Sequence, residues 1–316
     1  MQAARDHDVT IWAREPELAE AIERDRRNPK YLPDIALPDT IHATADLGEA
    51  LENRELVICA VPSHGVRDVM GRAGKVMDRE AIVVSTVKGI EVETGMLMHQ
   101  VLEDVLDPVF HPRIIALSGP SFAREVALHK PTAVTLACRD EVFAISVQTA
   151  LSCPWFRCYT HDDVTGVEVG GALKNVVAIA VGMCDGLGLG LNARAGLMTR
   201  GLREISRFGE ALGASPLTFL GLSGMGDLVL TCTGDLSRNR TVGVQLGQGQ
   251  TLDEIVGGMD QVAEGVRTTH AVCELARQLG VDMPIAFGTR RVLSGERTAA
   301  EAGQEIMRRQ LKSESE

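Results

Sequence analysis

Leu56-Val-Ile-Cys-Ala-Val-Pro-Ser63 is the stretch that decides the fold. Six apolar residues run without a break and stop at a turn-forming Pro-Ser pair. A strand apolar on both faces is buried on both faces, as in a parallel sheet covered by helices. The pattern recurs in Ala81-Ile-Val-Val-Ser85, which leads to Val87-Lys88-Gly89. It recurs again in Ile114-Ile-Ala-Leu117, which leads to Ser118-Gly119-Pro120-Ser121. Upstream, Asp8-Val-Thr-Ile-Trp12 reads as a short strand. A polar helix follows it, opening near Pro16 with apolar Leu18, Ala19 and Ile22, and then a loop from Asn28 to Pro38. Downstream, strands are expected at Thr132–Cys138 and Phe156–Thr160. Strands alternating with amphipathic helices make an α/β domain. In such sheets ligands sit at the carboxyl ends of the strands, where Pro62-Ser63, Lys88-Gly89 and Gly119-Pro-Ser121 fall.

From about Val167 the strand runs stop. Helical periods take over, and a boundary near Thr165 divides the chain into residues 1–165 and an all-α domain at 166–316. Helices are expected near Ala193–Leu212, Pro216–Thr231 and Thr241–Leu246. The first helix of this half lies in Val167–Gly190, where only Lys174 and Asn175 are polar between Ala172 and Gly182. A helix apolar nearly all round is a buried one, and a buried lysine is costly unless something pairs with it. Helical side chains lean toward the N-terminus, so Lys174 lies over Gly170 and Gly171, whose bare backbone leaves space for a small molecule. A desolvated lysine titrates nearer neutrality and can serve as acid or base. The alternative is that the glycines permit close helix packing and Lys174 reaches a surface.

The chain has 316 residues, 45% of them hydrophobic and 24% charged, which describes an ordinary globular protein. Aromatic residues make up 3%, and the net charge is −11. Those values argue against nucleic acid as a partner, while leaving room for a local basic pocket. The seven cysteines show no C-x-x-C spacing, which fits reduced thiols in a cytoplasm better than disulfides or zinc. The eight histidines form no ligand pattern, so no metal is expected. No run approaches ~18 apolar residues, so no membrane span is expected. The N-terminus lacks the apolar core of a signal peptide, and Lys312-Ser-Glu-Ser-Glu316 reads as a frayed tail.

Two polar stretches in the second half carry chemistry. Ser237-Arg-Asn-Arg240 reads as a loop entering a helix with Ser237 as N-cap. A helix N-terminus beside an arginine suits an anion, although an isolated R-x-R is more often a solvated turn. Gly221-Leu-Ser-Gly-Met-Gly-Asp227 places a carboxylate after a glycine-rich turn, with Thr231 one turn beyond; Asp227 could equally be a cap.

Taken together with Val87-Lys-Gly-Ile-Glu91, Leu117-Ser-Gly-Pro-Ser-Phe-Ala123, Gly170-Gly-Ala-Leu-Lys-Asn175, Cys184-Asp-Gly-Leu-Gly188 and Val262-Ala-Glu-Gly-Val266, these segments resemble one family. It is the bacterial type of NAD(P)-dependent glycerol-3-phosphate dehydrogenase. The motifs stand in the family's order over nearly the whole chain; each is weak alone and they are specific jointly. The resemblance implies a Rossmann-like dinucleotide-binding domain followed by an all-α substrate domain. It implies reversible reduction of dihydroxyacetone phosphate to sn-glycerol 3-phosphate with NADPH or NADH, for glycerophospholipid synthesis. Lys174 matches the proton donor to the C2 oxygen, a role that suits an ammonium facing a carbonyl. Lys88 matches a second substrate lysine, and Asn175, Asp227 and Thr231 match polar positions around it. Arg238 and Asn239, with Ser237 beside them, match the phosphate grip. Gly119 and Ser121 match substrate contacts, though Gly119 and Ser237 could simply shape turns. Ala123, Glu264, Lys88 and Arg238 match positions at the cofactor. A homodimer is common in the family, and no residue here shows one.

Cofactor preference is partly legible. An acid at the end of the second strand holds the 2′-hydroxyl of NAD, and an arginine there accommodates the 2′-phosphate of NADP. Ile11-Trp-Ala-Arg14 puts Arg14 at that point with Glu15 next, which favours NADP without excluding NAD. One feature of the family is missing: the opening strand and its G-x-G-x-x-G phosphate loop. Loss of a central strand would cost about as much as a domain's stability. Two explanations stand. Either the start is assigned too far downstream, which the presence of every catalytic position favours, or the chain is an impaired remnant. A related β-hydroxyacid or 6-phosphogluconate-type dehydrogenase shares the domain plan and is the rival enzyme.

Overall fold

The computed structural model describes residues 7–257, 263–311 and 313–314. Val262 of the Val262–Val266 motif and most of the expected C-terminal tail lie outside the described residues. The chain divides into two units, Met1–Val87 with Met98–Val164, and Lys88–Leu97 with Thr165–Glu316. The short segment Lys88–Leu97 thus belongs with the helical half, which a single cut near 165 does not foresee.

Among its described residues the first unit holds seven strands: β1 (Val9–Trp12), β2 (Ile41–Thr44), β3 (Leu56–Cys59), β4 (Ile82–Ser85), β5 (Ile114–Ser118), β6 (Thr132–Ala137) and β7 (Phe156–His161). Its helices are α1 (Pro16–Asp25), α2 (Leu47–Leu51), α3 (Val66–Ala73), α4 (Met98–Val105), α5 (Ala123–Ala127) and α6 (Glu141–Leu151). β1 and β2 pair in parallel as one sheet, and the other sheet runs β3-β4-β5-β6-β7. Among the described strands, β1 pairs only with β2 and β3 only with β4. Alternation of buried strand and covering helix makes this α/β architecture.

The expected all-parallel sheet needs one correction: β5 and β6 run antiparallel, with Leu117 opposite Leu136. Parallel neighbours need a crossover of about a dozen residues or more, normally a full helix. Here only the five-residue α5 stands between them, and the chain turns back. Val84, Ile115, Val134, Leu136, Val147 and Phe156 form the core between the sheet and α6.

The second unit contains α7 (Val164–Gly186), α8 (Gly190–Ala211), α9 (Asp227–Thr233), α10 (Arg238–Gly247), α11 (Leu252–Gly257), α12 (Glu264–Leu279), α13 (Pro284–Leu293) and α14 (Ala299–Met307). α7 is long and apolar enough to cross a membrane, against the expectation from apolar run length. Its most apolar stretch is nevertheless wholly buried in the protein, as a core helix is. Two clusters explain its apolar circumference. Leu173, Val177 and Val181 meet Phe208, Phe219, Leu228 and Val272. Ile179, Ala180 and Met183 meet Val242, Leu246, Ile285 and Val292.

The helix expected over Pro216–Thr231 is broken. Pro216–Leu220 is a 3-10 turn, Leu222–Gly226 a π turn, and α9 begins only at Asp227. The glycines of this segment allow contacts that no side chain would permit. A Cβ on Gly224 would lie 2.2 Å from the Phe219 carbonyl oxygen.

Candidate active site

Lys174 sits midway along α7 and is 6% exposed, so it does not reach a surface. Its Nζ donates to Asp227 Oδ1. Asp227 opens α9 and is 1% exposed. The glycine-rich turn brings it there by packing on α7: a Cβ on Gly170 would stand 2.6 Å from the Ser223 carbonyl oxygen. Gly170 therefore admits backbone rather than the small molecule expected beside Lys174. The other Asp227 oxygen, Oδ2, accepts from Lys88 Nζ at 2.7 Å. One buried carboxylate thus holds two ammonium groups. Thr231 Oγ1 donates to the Asp227 carbonyl at 2.7 Å, which fixes the first turn of α9.

A second set of bonds continues from this centre. Asn175 Nδ2 donates to the Lys88 carbonyl at 3.3 Å, and Asn175 Oδ1 accepts from Asn239 Nδ2 at 2.9 Å. Asn239 Oδ1 in turn accepts from the Gly265 backbone N–H at 2.9 Å, at the start of α12. Asn239, matched by resemblance to a phosphate grip, is buried here and ties α10 to α7 and α12.

Burial pushes the Lys174 ammonium down to about 7, and the neighbouring Lys88 charge pushes the same way against the pull of Asp227. A lysine at that value can hold or release its proton near neutrality. Cys232, next to Thr231, is a different case. Burial drives its thiol up to about 12, so it packs as a small apolar group.

The remaining candidates divide by unit. Ser237 is the N-cap of α10, its Oγ accepting from the Arg240 N–H at 3.2 Å. Arg238 is exposed on the first turn of α10, and Glu264 is the first residue of α12. In the first unit, Gly119 has φ +136° at the carboxyl end of β5, a conformation that favours glycine. Ser121 Oγ donates to the Gly119 carbonyl at 3.0 Å. Ala123 begins α5 and is exposed. Arg14 follows β1 with 80% of its side chain exposed, beside Glu15. The structure brings Lys88, Lys174, Asn175, Asp227, Thr231 and Asn239 together, and leaves Arg14, Gly119, Ser121 and Ala123 in the other unit. Sequence reasoning missed the Gly265 N–H and the ion cluster of Asp185, Arg194 and Arg240. The only signal for either was the glycine or charge within a motif.

A mostly parallel α/β sheet with turns at its strand ends, joined to a helical unit built on a titratable lysine, is the plan of a two-domain nicotinamide-dependent dehydrogenase. Comparison with known proteins narrows that class. The family pattern described as NAD-dependent glycerol-3-phosphate dehydrogenase N-terminus matches residues 1–144, and its C-terminus counterpart matches 163–304. A protein of Citrifermentans bemidjiense named glycerol-3-phosphate dehydrogenase [NAD(P)+] is 52% identical over 99% of this chain and 93% of its own length. A Nitratidesulfovibrio vulgaris protein of the same name is 49% identical over 99% and 94%. A crystal structure of glycerol-3-phosphate dehydrogenase from Coxiella burnetii superposes with a TM-score of 0.92 at 36% identity, over 98% of this chain and 94% of that one. The chain belongs to the NAD-dependent glycerol-3-phosphate dehydrogenase family.

NAD(P) is the cofactor of this family. Arg14 is an exposed cation just past the end of β1, and Gly119 turns the chain at the carboxyl end of β5. Both fit the group, while the sequence contains no G-x-G-x-x-G for its pyrophosphate.

Proposed function

We propose that this chain reduces dihydroxyacetone phosphate reversibly to sn-glycerol 3-phosphate, the backbone of glycerophospholipids, with NADPH or NADH. The observation that carries the reading is Lys174, buried and sharing the Asp227 carboxylate with Lys88. When bound, the nicotinamide supplies the hydride. The Lys174 ammonium hydrogen-bonds the C2 carbonyl oxygen, polarises it, and gives up its proton as charge develops there. Neutral Lys174 is tolerated afterwards because burial has already brought its pKa to about 7. Asp227 orients Lys174, and Lys88 keeps a second positive charge beside the developing oxyanion. Asn175 and Thr231 fix the two elements that carry these groups.

Arg238 and the Asn239 backbone N–H, with Ser237 as the cap of α10 and the Asn239 side chain bracing that turn, hold the phosphate at the helix N-terminus. Gly119 and Ser121 contact substrate; Arg14, Lys88, Ala123, Arg238 and Glu264 contact the cofactor. Arg14 favours NADP. All seven cysteines are free, which supports a reducing, cytoplasmic setting. A homodimer, common in the family, is checked by light scattering. The central test mixes the protein with dihydroxyacetone phosphate and NADPH and follows the loss of NADPH absorbance. Steady turnover that disappears in Lys174→Ala supports the reading; turnover retained in that variant removes Lys174 from its role.

A further inference from the structure

We propose that Asp185 is a positioning residue for the phosphate end of the substrate, acting through Arg240. The inference rests on the reading that Arg238 and Asn239 hold that phosphate. Asp185 lies in the last turn of α7 with only 10% of its side chain exposed. Its Oδ1 accepts from Arg194 of α8, through Nε at 2.8 Å and Nη2 at 2.6 Å. Its Oδ2 accepts from Arg240 of α10, through Nε at 2.9 Å and Nη2 at 2.9 Å. Each oxygen therefore grips one guanidinium by two N–H groups, a geometry that fixes orientation as well as distance.

The reason α10 needs such a tether lies in how it packs. α7 and α10 touch backbone to backbone along two glycine pairs. A Cβ on Gly182 would fall 2.2 Å from the Arg240 carbonyl oxygen, and one on Gly243 2.1 Å from that of Ile179. Further along, a Cβ on Gly186 would fall 2.2 Å from the Val244 carbonyl oxygen. Side chains normally set the register of two helices by seating ridges in grooves. A glycine track has no ridges of its own, so beside the flanking contacts of Ile179 and Met183 with Val242 and Leu246 the polar tethers help to set slide and rotation along it. Two polar tethers pull in opposite directions along α7. Asn239 reaches back to Asn175, while Arg240 reaches forward to Asp185, ten residues or about 15 Å further on. They leave from adjacent residues of the first turn of α10, the turn that carries Arg238. Arg240 is thus committed to Asp185, and its part in the Ser237–Arg240 motif is to aim its neighbours.

The test compares dihydroxyacetone phosphate with dihydroxyacetone, which lacks the phosphate. Binding energy from a remote phosphate is felt at the reacting carbon only if the grip is in place. In Asp185→Asn, Arg194 and Arg240 face one another with only the exposed Asp235, 3.4 Å from Arg240 Nη1, left as a counter-charge. The ratio of kcat/KM for the phosphorylated over the unphosphorylated substrate should fall about 10- to 100-fold, chiefly through KM. Calorimetry should show the matching loss in sn-glycerol 3-phosphate binding. A merely structural role would lower both substrates together and leave the ratio where it was, which overturns the proposal. Arg240→Lys keeps the charge but loses the two-nitrogen grip, and should lower the same ratio by a smaller factor. It also serves if Asp185→Asn does not fold. Arg238→Ala separates the two readings. If it collapses the ratio while the Asp185 and Arg240 variants do not, the positioning inference fails alone. If Arg238→Ala leaves the ratio intact, the phosphate grip and the inference fail together.

Discussion

Two places in the helical unit are built to the same charge plan and do different work. At one, Asp227 holds Lys88 and Lys174; at the other, Asp185 holds Arg194 and Arg240. Each is one carboxylate between two cations. Lysine gives up its proton when burial and a like charge press on it, and Lys174 is brought to about 7. Arginine stays charged under any such pressure and presents a rigid fork. The lysine cluster can therefore move a proton, and the arginine cluster can only hold a position. A third version lies on the surface of the other unit, where Glu15 bonds Lys30 Nζ at 2.8 and 2.9 Å with Arg14 at 3.8 Å. There solvent replaces burial, and what remains is a local field.

The largest effect should come from erasing the difference at the first site. Lys174→Ala should cost about 10³-fold in turnover with the fold kept, read by NADPH oxidation and circular dichroism. Lys174→Arg sharpens the point: it restores the charge without the removable proton, and turnover should stay near that of the alanine variant. Recovery to the level of the unaltered protein would show that a fixed charge suffices. The pH profile carries the same information. Reduction needs protonated Lys174, so its kcat/KM should fall tenfold per unit above about pH 7. Oxidation of glycerol 3-phosphate needs the neutral amine and should fall below the same value. Stability follows as well. Between about pH 7 and the ordinary lysine value of 10.5 the unfolded chain binds a proton that the folded chain does not, so stability should rise with pH. That rise should be missing in Lys174→Met, as measured by urea midpoints.

Next comes the shared carboxylate. Asp227→Asn removes the buried carboxylate that the two lysine ammoniums share. Breaking a buried pair in this way costs about 3–5 kcal/mol. A chemical-denaturation curve should show that loss together with lost turnover. An unchanged midpoint would mean that Lys174 is already neutral throughout and that Asp227 matters for orientation alone.

How much of this could be read beforehand follows from what each feature demands of its neighbours. The strands of the sheet were legible because burial on both faces forces an unbroken apolar run, as in Leu56–Val61. β2, Ile41-His-Ala-Thr44, escaped notice because only Ile41 is buried. The reversal between β5 and β6 was invisible, since a buried strand looks the same whichever way its neighbour runs. Lys174 stood out because a cation inside an apolar helix demands a partner, and Asp227 was one candidate at the end of a glycine-rich turn. Asp185 did not stand out. An acid at the end of a helix ordinarily meets solvent, and its two arginines lie 9 and 55 residues away in sequence. The placement of Lys88 with the helical unit was likewise a long-range fact, carried by bonds to Asp227 and Asn175 and by Ile90 and Leu97 in the helical core.

The smallest effects belong to the exposed cluster, where the question is selectivity rather than rate. Arg14→Ala removes the cation proposed to accommodate the 2′-phosphate, and should weaken NADPH about tenfold while leaving NADH nearly unchanged. Equal losses for the two cofactors would remove Arg14 from that role. Lys30 acts one step further out. Its hydrogen bond and charge lower the pKa of the Glu15 carboxyl, keeping it charged and turned toward Lys30. Glu15 is the acid that stands beside the position where NAD-preferring folds keep one for the ribose hydroxyl. Lys30→Ala releases that carboxylate and removes a positive charge. The NADPH-to-NADH ratio should then shift toward NADH by roughly two- to fivefold, the scale on which exposed ion pairs act. The shift should shrink in 0.5 M salt, because exposed charges are screened within a few ångströms there. A ratio that ignores both the substitution and the salt would mean that Glu15 and Lys30 merely pair with each other, and that Arg14 alone sets the preference.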